Sequence, residues 1–384
     1  MWRNITSNFF SLMVVILMVL GAVIALAQSK YKDAGPLTQA ICLRVESGTN
    51  MRKVSDELAK RGAISSGMLF RMGAQYSDKS QSLKAGSFLL PEAASMVEIT
   101  DIITRGGRST CGTEIVYRIG VRANKVQVRE LDPTTNKYFE KVAFNPAESV
   151  APDAYVQTRQ QSDVRLRIAM AEGVTSWQVV EALKGADFLE NDVAEIPPEG
   201  MLAPDSYEVK PGDSISSLLA RMQKAQVKIL DDAWAAKASG LPLASKQEAL
   251  ILASIVEKET GIAAERRQVA SVFINRLNQG IRLQTDPTVI YGVTKGKGIL
   301  GRGLRRSELR RKTDYNTYQI DGLPKGPIAN PGKAAIEAAL NPDSTEYIFF
   351  VADGTGGHAF AKTLKEHNAN VAKWRVIEAQ RSGN

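Results

Sequence analysis

Two carboxylates stand close together in the string Ser254-Ile255-Val256-Glu257-Lys258-Glu259-Thr260. On a helix, at about 100° per residue, Glu257 and Glu259 point in nearly opposite directions and do not form an adjacent acid–base pair. Glu259 follows Ile255 and Val256, with Leu252 one turn further back, whereas Glu257 follows Ala253 and Ser254. The carboxyl with the bulkier apolar neighbours is expected to be the more desolvated. Desolvation raises a carboxyl pKa towards the range a general acid needs. A solvated surface charge is the competing reading of either residue. A second polar run holds Gln284, Asp286, Thr288 and Tyr291, then Asp314, Tyr315, Asn316 and Tyr318. Amide, hydroxyl and aromatic groups in one place are what a sugar ring requires, with hydrogen bonds at its edge and stacking on its face. Ordinary loop polarity is the alternative.

Composition narrows the chemistry further. The 384 residues include two His (His358, His367) and two Cys (Cys42, Cys111). So few soft ligands exclude a zinc cluster, an iron–sulfur site and a Cys-x-x-Cys redox motif. No metal or cofactor is expected, which leaves carboxylates, hydroxyls and amides. Lys and Arg number 49 against 41 Asp and Glu, a net charge of +8. That balance favours an anionic partner, whether nucleic acid, a lipid surface or an acidic polymer. With 44% hydrophobic and 23% charged residues the balance is that of a globular protein, not a disordered one. The length suits two or three domains.

These groups need a compartment and a scaffold. Phe9 to Ala27 is a 19-residue run whose single polar member is Ser11. As a helix it spans about 28 Å, close to a bilayer's hydrocarbon core. Ala25-Leu26-Ala27 before Gln28 also fits a signal-peptide cleavage site. The anchor is favoured on length, and either reading exports the bulk of the chain. Export permits a Cys42–Cys111 disulfide, with a buried pair of thiols as the alternative. Residues 28–40, which are polar and contain Gly35-Pro36, read as a tether.

Beyond the tether, Ile41, Leu43 and Val45 alternate like a strand. A unit Gly-x5-apolar-x3-apolar then occurs three times, as Gly48/Val54/Leu58, Gly173/Val179/Leu183 and Gly212/Leu218/Met222. Each predicts a turn feeding a helix whose i, i+4 pair faces a core. Ser95-x-x-Glu98 and Thr175-x-x-Gln178 supply capping-box starts, the first for a helix stopping at Gly106-Gly107. Short β-like stretches at 114–118, 125–129 and 138–144 mark residues 108–163 as a β-rich or partly mobile insertion. Helices are expected over 247–260 and 266–277, with a forced turn at Asp286-Pro287. Lys295 to Lys312 carries eight basic residues against one acidic and reads as a solvated loop and helix.

The string SIVEKET at 254–260 and VASVFINRLNQGIRLQTDPTVIYG at 269–292 resemble the endolytic murein transglycosylases of the YceG-like family. So do YNTY at 315–318, GLPKGPIANPG at 322–332 and FVADGTGGHAF at 350–360. Upstream, Ala171-Glu172-Gly173 and the run Pro198 to Tyr207 match as well. The likeness is strong over about 164–375 and looser over 41–107, as a LysM-like subdomain. Val209 to Ser214 also looks like a LysM opening. Two departures are the size of the 108–163 insertion and Lys325, which stands where the family often has proline.

The resemblance implies an α+β protein with an N-terminal membrane anchor (9–27, after a cytoplasmic 1–8). A tether (28–40), the LysM-like αβ subdomain (41–107), the insertion (108–163) and a mixed α/β catalytic domain (164–384) follow. It implies cleavage of the MurNAc–GlcNAc β-1,4 bond of nascent strands to 1,6-anhydroMurNAc ends, which terminates elongation. The catalytic Glu of the family falls on Glu259, carried by a helix. Gln284, Asp286, Tyr291, Asn316, Tyr318 and, in the upstream motif, Glu199 fall on substrate-binding positions. Implied partners are peptidoglycan glycan strands and penicillin-binding proteins or other cell-wall synthases, with no nucleic acid. The implied place is the inner membrane, single-pass, with the bulk in the periplasm. A non-catalytic scaffold and a hydrolase using Asp286 are the other readings.

Overall fold

The computed structural model describes residues 2–105, 109–161, 163–193 and 195–382. The stop expected at Gly106-Gly107 lies outside them. The chain divides into two units. The first comprises Met1–Ile115, Gln127–Ala143 and Ala151–Arg165, and the second the remainder.

The first unit opens with α1 (Trp2–Lys32), within which Ser11–Lys32 is long and apolar enough to cross a membrane. The helix runs through the first five residues of the expected tether. Tyr31 is buried, its hydroxyl 2.8 Å from Thr100 Oγ1, and Leu37 joins the same core. The tether reading therefore fails at Tyr31, because a polar-looking segment contains apolar residues that have a core to enter. There follow β1 (Ile41–Val45), α2 (Met51–Lys60), α3 (Gly67–Tyr76), β2 (Gly86–Leu90) and α4 (Met96–Thr104). β1 and β2 pair antiparallel, Ile41 against Leu90, around a core containing Leu43, Leu58, Phe70 and Ile99. Cys42 and Cys111 form a disulfide at 5.6 Å between Cα atoms. Then come β3 (Thr113–Ile119), β4 (Lys125–Asp132), β5 (Lys137–Phe144) and α5 (Asp153–Arg159). The three strands fall where β-like stretches were expected.

The second unit contains β6 (Arg165–Met170), α6 (Ser176–Lys184), β7 (Leu189–Glu190), β8 (Ser206–Val209), β9 (Asp213–Ser214) and α7 (Ile215–Ala235). Next are α8 (Lys246–Glu259), α9 (Arg266–Asn278), α10 (Asp286–Thr294), α11 (Arg306–Arg310) and α12 (Lys333–Leu340). The hairpin β10 (Phe349–Ala352) and β11 (His358–Ala361) and the helix α13 (Leu364–Ser382) close the chain. Within this unit β6 and β8 pair antiparallel, Leu166 against Val209.

The repeated glycine unit has a backbone cause. Gly48, Gly173 and Gly212 stand at φ of +78°, +78° and +82°, where a side chain would be strained. The apolar pairs they precede, Val54/Leu58, Val179/Leu183 and Leu218/Met222, are all buried. Both expected capping boxes close, on Ser95 with Glu98 and on Thr175 with Gln178. Asp286-Pro287, read as a turn, instead begins α10. Proline is tolerated in the first turn of a helix because that turn has no use for its amide hydrogen.

Candidate active site

Helix α8 is the axis of the second unit. Ser245 caps it by accepting the Glu248 amide, and Ala249 to Val256 are all buried in a core shared with α7, α9 and α12. The stretch that is apolar on every side, Ala249 to Val256, ends at the charged run Glu257, Lys258 and Glu259. As their spacing requires, the two glutamates part. Glu257 Oε2 accepts the Gly332 amide at 3.0 Å, with Glu172 and Arg266 nearby. Glu259 faces Thr285, whose hydroxyl donates to Oε1.

Burial raises the pKa of both carboxyls, so desolvation is not confined to Glu259. At Glu259 the Asp286 charge adds to the rise, while the Thr285 hydroxyl and the charges of His358 and Arg276 oppose it. Glu259 is also the last residue of α8, where the helix's partial negative charge disfavours an anion. The pKa of its carboxyl is therefore raised above the ordinary value.

Thr285 is fixed from behind. Its amide donates to Thr317 Oγ1 at 3.0 Å, Thr317 Oγ1 lies 2.9 Å from Thr288 Oγ1, and Thr288 Oγ1 donates to the Thr285 carbonyl at 2.7 Å. All three threonines are buried. Beside them Tyr318 donates to Asp286 Oδ1 at 2.7 Å, and Asp286 itself is exposed. Gln284, exposed at φ +50°, completes this rim. Glu259 also lines an open cleft of about 190 Å³ with Thr260, Gly261, His358 and Trp374.

The structure thus brings Glu259, Asp286 and Tyr318 together, with Gln284 adjacent, and separates the other three expected residues. Asn316 is buried, its amide spent on the carbonyls of Glu308, Leu309 and Arg311. It folds the loop that carries Tyr318 and has no free donor for a sugar. Glu199 accepts the Ser176 amide at 2.8 Å and the Tyr291 hydroxyl at 3.1 Å, and burial raises its pKa. That pair belongs to a knot centred on Asn330. Asn330 donates to the Val174 carbonyl and the Ser176 hydroxyl and accepts the Leu202 amide. Tyr291 also lines a separate cleft of about 520 Å³ with Lys258, Ile290 and Leu300. Lys325 is exposed and meets Asp314 at 3.4 Å.

Sequence reasoning missed Thr285, Thr317 and the pair formed by Glu265 and His358. Lone threonines carry no pattern, and Glu265 and His358 meet only through the fold, 93 residues apart. The one available signal was Gly-Gly-His at 356–358, a hairpin end marked by glycine.

Fold and site define an α+β protein in which a carboxyl at the end of a buried helix, its pKa raised by burial, lines an open cleft. The model of the YceG-like family matches residues 43–373, and the chain belongs to that family. It is 28% identical to an endolytic murein transglycosylase of Bacillus subtilis over 86% of this chain and 84% of that one. It is 26% identical to an endolytic murein transglycosylase of Streptococcus pneumoniae over 87% of this chain, spanning 58% of that longer relative. A crystal structure of a yceG-like protein from Listeria monocytogenes is 25% identical, covering 86% of this chain and 98% of that one, at a TM-score of 0.45.

Proposed function

We propose that this chain is a peptidoglycan lytic transglycosylase, a lyase that cuts glycan strands internally at the MurNAc–GlcNAc β-1,4 bond. The observation that carries the reading is Glu259: a desolvated carboxyl whose pKa burial raises, with the Thr285 hydroxyl donating to Oε1 and a cleft that it lines. Family membership and the names of the relatives support it.

With Thr285 on Oε1, the proton of neutral Glu259 sits on Oε2. It passes to the glycosidic oxygen as the C1–O bond breaks. The Glu259 carboxylate then takes the proton of the muramyl C6 hydroxyl while that oxygen closes on C1. The products are a free 4-hydroxyl on one strand and a 1,6-anhydro end on the other, and Glu259 is neutral again. Glycosidases that use water or a covalent intermediate need a second carboxylate. A hydroxyl within the substrate removes that need through its high effective concentration. Gln284, Asp286 and Tyr318 are assigned to sugar contacts. Asn316, Tyr291 and Glu199 hold the cleft's framework.

The remaining organisation follows the same reading. Helix α1 is assigned as a single-pass inner-membrane anchor, with the bulk of the chain in the periplasm, where the Cys42–Cys111 disulfide is stable. The strand–helix–helix–strand arrangement from β1 to β2 supports a LysM-like glycan-binding subdomain. Cutting nascent strands terminates their elongation, which places penicillin-binding synthases among the partners.

Mass spectrometry of products from uncrosslinked strands tests the assignment. The full chain is expected to give anhydro-muramyl ends, Glu259→Gln none, and Glu257→Gln most of the wild-type yield. A reducing end, one water heavier, would instead mean hydrolysis with Asp286 activating water. Strand binding without cleavage would leave a scaffold.

A further inference from the structure

Helix α1 runs unbroken from its apolar stretch into the body of the first unit and ends at Lys32. Ala27 closes the apolar run, and Tyr31 follows one turn later on the same helix face. Ala27 is half-buried and Tyr31 is buried. Four residues of helix rise about 6 Å. The headgroup zone on each side of a bilayer's hydrocarbon core is about 5–8 Å thick. With the apolar run in the hydrocarbon, the part of the first unit that touches Tyr31 lies at headgroup level.

Helix α3 makes that contact. The Tyr31 ring lies against Gly73, where a Cβ would come within 2.2 Å of it. Phe70 and Ala74 of α3 are buried in the first unit's core. Met68, Met72 and Tyr76 repeat every four residues and stand about 200° round the helix from that buried pair, at about 100° per residue. They are 67%, 57% and 86% exposed. Among the described residues from 33 to 115 they are the only exposed large apolar side chains. Tyr31 is the one described residue of α1 in the core, so the core lies beyond the end of the apolar run. A side of α3 turned away from that core is turned back towards the bilayer. Lys30 and Lys32, both exposed at the end of α1, suit the anionic headgroups of the same zone.

Resting on the assignment of α1 as a membrane anchor, we infer that Met68, Met72 and Tyr76 of α3 insert at the headgroup–acyl boundary of the bilayer that α1 crosses, so that the first unit lies on the membrane. An apolar stripe on a helix too short to span is suited to lying in the interface plane. Methionine is flexible and packs against irregular apolar surroundings. Tyrosine places an apolar ring and a hydroxyl where one end is dry and the other wet. The glycan-binding subdomain proposed above is then held at the membrane surface and does not swing on a tether.

The test uses the full chain in phosphatidylglycerol-containing vesicles, with Met68→Cys, Met72→Cys or Tyr76→Cys labelled one at a time with bimane. Cys42 and Cys111 are paired, which leaves the new thiol as the labelling site. Leu26→Cys, within the apolar run, is the control for insertion of α1. Vesicles whose acyl chains carry bromine near the headgroup are compared with the same lipids without bromine. Bromine is expected to quench all three α3 labels, as it does the Leu26→Cys label, and aqueous iodide is expected to leave them bright. Labels on α3 that iodide quenches and bromine does not, with Leu26→Cys quenched by bromine, overturn the inference and leave the anchor standing. No bromine quenching at Leu26→Cys overturns the anchor and the inference with it. Disulfide-linked pairs of unlabelled Met72→Cys chains, with no bromine effect on the labelled protein, would give the stripe to a second copy and overturn the lipid assignment.

Discussion

Thr285 donates its hydroxyl to Oε1 of Glu259 from a position that Thr317 and Thr288 fix on the far side. The bond orders the two carboxyl oxygens. One accepts from a buried, hydrogen-bonded hydroxyl, and in the proposed reaction the other carries the exchangeable proton. It also stabilises the carboxylate more than the acid, against the effect of burial.

Thr285→Val keeps the shape and removes the donor. A hydrogen bond to a charged group contributes about 1.5–3 kcal/mol. Glu259 should therefore lose its proton at higher pH and kcat should fall about 10-fold to 100-fold, while Thr285→Ser retains most activity. Steady-state rates on defined strands, with circular dichroism to show an unchanged fold, check this. Equal losses in the Val and Ser variants would point to packing and not to the hydroxyl.

Glu259 should also destabilise the protein it serves. Its folded pKa is raised by burial, so its contribution to stability is fully present below the unfolded value of about 4.3 and is lost as pH rises through the folded value. Glu259→Gln is free of that loss. The difference in Tm, variant minus wild type, is thus expected to grow from about pH 4 upward and to level off once Glu259 is ionised in the folded state. Each kcal/mol corresponds to about 2–4 °C for a domain of this size. Parallel melting curves across pH would contradict the raised pKa.

Much of the scaffold was legible because it follows from local rules. The glycines before α2, α6 and α7 announce left-handed turns, and the capping boxes need only a few adjacent residues. Glu259 was legible in part, since its apolar i−3 and i−4 neighbours lie on its own helix. What stayed hidden depends on chain segments far apart. Asn316 and Tyr318 look alike as loop polar groups, yet one is buried with three carbonyls and the other reaches Asp286. Glu199 and Tyr291, expected beside the sugar, are 92 residues apart and satisfy each other. Nothing in their spacing says so.

Tyr31 makes the end of α1 part of the first unit's core. Its ring sits over Gly73, where a Cβ would come within 2.2 Å of it, and its hydroxyl meets Thr100. Removing residues 1–27 leaves these contacts, and the shortened protein should melt with the full chain. Removing 1–33 loses a buried aromatic ring and its hydrogen bond, about 2–4 kcal/mol together. Tyr31→Ala in the full chain should reproduce the deficit. Differential scanning calorimetry distinguishes the two truncations, and equal melting of both would mean that Tyr31 contributes nothing.

Asn330 allows chemistry and framework to be separated. It is fully buried and bonds to Val174, Ser176 and Leu202, and it touches none of the groups assigned to the reaction. Asn330→Ala leaves at least two buried partners unsatisfied, at about 1–3 kcal/mol each. The Tm should fall by several degrees, and activity at low temperature should be retained per folded molecule. Asn330→Asp keeps the acceptor for Leu202 but brings a negative charge against the Val174 carbonyl and Glu199, so it should be worse than alanine at neutral pH. It should recover as the pH falls and the new carboxyl protonates. Cleavage rates normalised to the folded fraction check the separation. A specific-activity loss in Asn330→Ala as deep as that of Glu259→Gln would mean that the knot holds the reacting groups directly.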